Sequence, residues 1–209
     1  MPKRNRSRPD HRRTAIAQEA ARIMQEHGLK DFRRAKEKAG LRLGLEDRGA
    51  LPDNQEIESA IAERNRIFRG EAHEEFVDVL RQAALDVMRR IGDFDPRLVG
   101  PVLTGNASEH STIDLHVFSD AAEAVGAALS ALGLPNRAFE HRLRTRRDEL
   151  ELFPGYRFRN GDFLFAATVF TERGRGNAPL SPVDGRPMRR ATVKDVEALL
   201  NGRGSSSDE

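Results

Sequence analysis

Up to residue 93 the apolar positions recur at helical spacing; beyond it they alternate or run continuously. Ile16, Ala20, Ile23 and His27 lie three or four apart, and Gly28 follows as a left-handed stop. A second helix is predicted from an Asp31 N-cap to about Leu43, closed by Gly44. In LPDNQEIESAIAERNRIF, Asp53 is placed to cap a third helix, with Glu56 as capping-box partner. Ile57, Ile61, Arg64 and Phe68 share a face of that helix. A fourth, from about Glu71 to Ile91, carries Phe76, Leu80, Ala83, Val87 and Ile91 as its stripe. Stripes of this kind need partners, which predicts a helical bundle over residues 11–93.

Asp93-Phe94-Asp95-Pro96 breaks the helical pattern. Leu98 to Thr104 reads as a short buried strand. In Thr112 to Phe118, Ile113, Leu115 and Val117 alternate with Thr112, Asp114 and His116, the mark of a second strand. Ser119 or Asp120 is placed to cap a helix through Leu132, with Gly133 as its stop. Further strands are predicted near Arg137 to Thr145, Glu149 to Phe153, Tyr156 to Arg159 and Asp162 to Phe170, with Asn160-Gly161 as a hairpin turn. A loop rich in Gly and Pro runs from Gly174 to Arg190, and Thr192 caps a last helix ending before Gly202. The expected fold class is α+β: an N-terminal helical bundle, then a mixed sheet with flanking helices over residues 94–201. Residues 1–10 and 202–209 are expected to be disordered tails.

Composition narrows the chemistry. The chain has no Cys, which excludes disulfides, zinc-thiolate sites and thiol catalysis and agrees with a cytoplasmic protein. No run approaches the ~18 apolar residues of a membrane span. The basic N-terminus lacks the apolar stretch of a secretory signal. Net charge is only +2, but the basic residues cluster. Lys3, Arg4, Arg6, Arg8, Arg12 and Arg13 face one acid, Asp10, and a second group holds Arg142, Arg144, Arg146 and Arg147. Such clusters attract phosphates, so nucleic acid is a candidate partner of the basic N-terminal tail; the alternative is a solvated surface.

The stretch VLTGNASEHSTIDLHVF carries the candidate site. Nucleotidyl transfer needs the triphosphate held and divalent ions to neutralise charge on the attacking and leaving oxygens. A Gly turn offers backbone N–H groups to phosphates, and carboxylates two apart on a strand share metal ions. Asp114 is the candidate carboxylate, with His116 on the same face as a second ligand and His110 as a further one for a softer ion. The other reading of Asp114 and His116 is a hydrogen-bonded pair on a half-exposed strand.

Residues 98–118 resemble the core motif of the polymerase-β-type nucleotidyltransferase superfamily: apolar strand, Gly-Ser, spacer, then acid-apolar-acid on a second strand and a third acid on a later one. Gly105 matches the Gly and Asn106 stands at the Ser position. Asp114 matches the second acid, with Thr112 at the first. The later strand, FLFAATVF, has no internal acid; Asp162 precedes it and Glu172 follows it. The whole chain, including LPDNQEIE and SPVDGRPMRR, is similar to bacterial nucleotidyltransferase-like proteins. The resemblance implies an NTP with magnesium or manganese. Gly105, Asn106, Ser111 and Thr112 would line the nucleotide, Asp114 would act in catalysis, and Asp114 and His116 would hold the metal. The alternative it leaves open is a catalytically degenerate fold that binds nucleotide, nucleic acid or protein. No Gly-x-x-Gly-Lys-Thr loop is present, which excludes P-loop chemistry. AARIMQEHGLKDFRRAKEKAG also resembles the opening of a TetR-type helix-turn-helix, without its recognition helix. Ser181 to Pro187 reads either as a lid bringing Arg186, Arg189 and Arg190 to a phosphate or as a linker anchoring the last helix.

Overall fold

The computed structural model describes residues 11–45, 51–146 and 149–204, and the side chains of all but the last two of these. The chain forms two compact units, one reaching Gly70 and including Ser108–His110, the other holding the rest. The division therefore falls ahead of the fourth helix, whereas the change in periodicity comes near residue 94.

In the first unit, α1 (His11–His27), α2 (Phe32–Leu43) and α3 (Asn54–Phe68) bury Ile16, Ile23, Ala35, Ala39, Ile57 and Ile61 among themselves. The caps are those the sequence predicts. Asp31 accepts from the backbone N–H groups of Arg33 and Arg34, Gly44 closes α2 in the left-handed region, and Asp53 and Glu56 form the reciprocal capping box. Arg13, from the basic N-terminal cluster, is engaged by Glu56 at 2.7 Å; the rest of that cluster, apart from Arg12, lies outside the described residues. Phe68, expected on the apolar face of α3, is 72% exposed and packs under the Arg64 guanidinium instead.

The second unit is a five-stranded mixed sheet with helices on one face. The strands are β1 (Arg97–Val99), β2 (Ile113–Phe118), β3 (Asn136–Arg146), β4 (Glu149–Asn160) and β5 (Phe163–Phe170), in the order β1-β2-β5-β4-β3. Only β2 and β5 run parallel. Helices α4 (Gly70–Arg90), α6 (Ala122–Ala131) and α7 (Val193–Gly204) share a core with Leu98, Ile113, Leu115, Val117, Phe165, Ala167 and Val169. Those strand residues alternate, so their neighbours Asp114, His116, Phe118, Thr168 and Phe170 line the opposite face.

Three local readings change in the fold. The run Leu98 to Thr104 is not one strand: it breaks after Val99 into α5 (Gly100–Thr104). Pro101 has no N–H to give a ladder but suits a first helical turn, and Gly100, at φ +73°, makes the corner. Conversely, β4 runs unbroken through Pro154. Its pairing with β5 starts only at Gly155, so the missing N–H falls where no β5 partner needs it. The β4–β5 hairpin pairs Asn160 with Phe163, so its two-residue loop is Gly161-Asp162, with Gly161 supplying the positive φ.

Gly155 of β4 is crowded from both neighbouring strands. A Cβ there would lie 2.7 Å from the Ala167 carbonyl oxygen and 2.7 Å from Cε1 of Phe139. Backbone on one side and a half-buried ring on the other leave little room to adjust. Gly155→Ala is expected to cost about 2 kcal/mol, read as a lower urea midpoint at constant slope.

Candidate functional site

Residues 100–112 link β1 to β2 and carry Gly105, Asn106, Ser111 and Thr112, four of the residues singled out from the sequence. Their geometry is governed by α4. Arg81, only 4% exposed, donates from Nε to the Val102 carbonyl at 3.2 Å and from Nη2 to the Leu103 carbonyl at 3.1 Å. These carbonyls lie in the last turn of α5, where no intrahelical donor reaches them. His73 Nε2 sits 2.8 Å from the Gly105 carbonyl. A carbonyl only accepts, so Nε2 carries the proton and donates.

Gly105 and Asn106 therefore end a helix rather than begin one. Gly105 adopts φ +86°, and the N–H groups of Gly105 and Asn106 both donate to the Pro101 carbonyl at 2.9 Å. Backbone donors turned back on α5 do not point at a phosphate. Ser111 is half-buried, and Thr112 is buried immediately before β2.

Asp114 stands in β2 between Val99 of β1 and Ala166 of β5. Its Oδ2 lies so close to Gly100 that a Cβ there would be 3.4 Å away. The parallel register decides the third acid: the β5 position beside Asp114 is Ala166. Asp162, at the hairpin loop, lies below the level of Ile113, which pairs with Phe165. Glu140 is on the other face of β3, and Glu109 pairs with Arg69 in the first unit.

His116 is 2% exposed. Its Nδ1 accepts a hydrogen bond from Arg190 Nε at 3.0 Å, so the ring is neutral and any proton sits on Nε2. Burial above all, then the Arg190 guanidinium and His141, lowers its pKa to about 3. Arg190 reaches the sheet from the Gly- and Pro-rich loop. Its Nη1 donates to the Gly174 and Arg175 carbonyls, and its guanidinium lies over the rings of Phe118 and Phe170. Burial lowers the Arg190 pKa to about 10, which leaves it charged at neutral pH. The loop thus anchors to the sheet, with Ala191 bridging to Leu98 at the start of α7. The alternation of β2 gave a face for His116 but no sign that Arg190 would occupy it, since the two are 74 residues apart.

These donors do not fit a divalent ion between Asp114 and His116. A metal needs the lone pair that Arg190 takes, and the guanidinium beside it repels a cation. Among the described residues no three His, Asp or Glu side chains converge as a metal site. The pairing of Asp114 with His116 is likewise replaced, at His116 Nδ1, by Arg190.

Comparison of the chain with protein-family models, curated proteins and solved structures found no match. Among the described residues no helix is long and apolar enough to cross a membrane.

The same sheet face continues onto β4 and β3, which sequence reasoning left out. Phe139 lies at half-burial across Gly155, with the Arg157 guanidinium 4.6 Å from its ring centre. Arg137 pairs directly with Arg157 across the strands, and both are exposed. Alternating signal in β3 was available, but the register that sets Arg137 opposite Arg157 was not.

Proposed function

We propose that this protein is a nucleotidyltransferase-like module that acts by binding rather than by nucleotidyl transfer. The observation that carries this reading is the closed Gly105-Asn106 turn, whose two N–H groups are spent on Pro101 O. Transfer chemistry depends on holding the triphosphate and neutralising it with metal ions. The cradle is a helix C-cap, Ala166 stands where a partner acid would support Asp114, and Arg190 holds His116. Each of these supports loss of the transfer centre with retention of a scaffold around it.

The full chain incubated with labelled NTPs and magnesium or manganese is expected to give no labelled product. Calorimetry is expected to show no metal-dependent NTP binding. Labelling that needs the metal and disappears in Asp114→Ala would overturn the proposal.

A further inference from the structure

The face of the sheet away from the helices carries Arg137, Arg157 and Arg159, none of them in an ion pair among the described residues; Asp114 shares this face two strands away, on β2. Arg137 and Arg157 are directly paired cross-strand neighbours, and both side chains are exposed. Like charges in that relation destabilise a sheet. Among the described residues neither makes an ion pair; Arg157 instead lies over Phe139. Arg159, two residues along β4 on the same face, donates among the described residues to the Asp162 backbone carbonyl. The acids of this face on β4, Glu149 and Glu151, lie at the far end of the ribbon beside Arg146 and Thr145.

From this arrangement we infer a binding surface for single-stranded nucleic acid on β3 and β4, built on Arg137, Arg157, Arg159 and Phe139. The inference rests on the binding-module reading and names its ligand. Charge complementarity sets the class: exposed arginines on a strand recur every ~6.6–6.8 Å, a spacing that suits successive phosphates of an extended chain. The Arg157–Phe139 layer adds the second requirement, a guanidinium plane backed by an aromatic ring on which an unpaired base stacks. A duplex keeps its bases stacked inside and offers none to such a platform, and an anionic lipid surface offers charge without a base. Gly155 holds the layer down, because any side chain there would strike the Phe139 ring.

The test is fluorescence anisotropy of the full chain with a labelled oligothymidylate of about 12 nucleotides. Binding is expected at roughly 50 mM salt and should weaken steeply towards roughly 200 mM. Arg137→Gln with Arg157→Gln is expected to reduce the slope of log affinity against log salt by about 1.4, two phosphate contacts at ~0.7 each. Phe139→Leu is expected to lower affinity roughly tenfold with little change in slope, since it removes stacking rather than charge. Thermal melts should show each variant cooperatively folded, with the double glutamine variant no less stable than the wild type because a like-charge pair is removed.

Absence of binding at low salt overturns the inference. So does an unchanged slope in the double variant, which would move the contacts to the basic N-terminal tail, and so does equal affinity for duplex or for vesicles of anionic lipid. Metal-dependent NTP turnover is a separate result: it would sink the binding-module reading whatever the oligonucleotide does.

Discussion

Arg190→Leu is expected to lower the free energy of unfolding by about 3 kcal/mol. The guanidinium makes three hydrogen bonds, to His116 Nδ1 and to the Gly174 and Arg175 carbonyls, and stacks on Phe118 and Phe170. Leucine keeps some of the ring contact and leaves the buried His116 nitrogen without its donor. Relief of a partly desolvated charge offsets part of the loss, since burial already disfavours the charged form of Arg190. Arg175 is exposed, so water can satisfy its carbonyl. Urea unfolding measures the change, and amide exchange at Glu172 to Gly176 should accelerate beyond the global effect. Equal stability of variant and wild type would show that the loop is held by other contacts.

The same pair sets an acid sensitivity. His116 has a folded pKa near 3, below its ordinary value near 6.5. The unfolded chain therefore binds the proton first. The contribution of neutral His116 is fully present above pH ~6.5 and is lost as pH falls from there towards 3, at up to about 1.4 kcal/mol per pH unit. His116→Gln keeps an acceptor and cannot titrate, so its stability should fall less steeply over that window. Parallel pH profiles for the two proteins would disprove the assignment.

Arg81→Leu is the second large expected effect, a loss of about 3–5 kcal/mol. Arg81 is buried, satisfies the Val102 and Leu103 carbonyls, and pairs with Asp78 at 3.1 Å. Removing it orphans two helix-end carbonyls and takes one ion-pair partner from Asp78. Asp78→Asn is expected to cost much less, because Asp78 is partly exposed and the two carbonyl bonds survive. The contrast separates the capping role from the ion pair. Exchange at the Gly105 and Asn106 amides should rise in Arg81→Leu and hardly in Asp78→Asn.

Elements whose signal lies within a few residues were legible in the chain. Asp31 with Gly44 and Asp53 with Glu56 bound their helices as expected, and Thr192 caps α7 through its hydroxyl, with Asp195 answering it. Helix α6 is the exception: Ala121 stands at its N-cap, while Asp120 accepts from the Glu172 N–H and so ties down the loop. The candidate site was legible only as an address. Asp114 and His116 do share the alternation of β2, with Thr112 just ahead of the strand, but what each faces depends on residues far away in sequence.

Periodicity, capping and turn chemistry act through neighbours three or four positions apart, so the sequence by itself determined the helical first half, the strand-bearing second half and the α+β class, while folding decided that the fourth helix packs on the sheet and not with the first three. Register and long-range side chains act through partners that only folding brings together. The tertiary structure alone decided that Gly105 closes α5, that Ala166 stands beside Asp114, that Arg190 takes the His116 lone pair, and that Arg137 meets Arg157. The physical reason is that a one-residue slip of a strand exchanges its two faces, and no local propensity records which neighbour a face will meet.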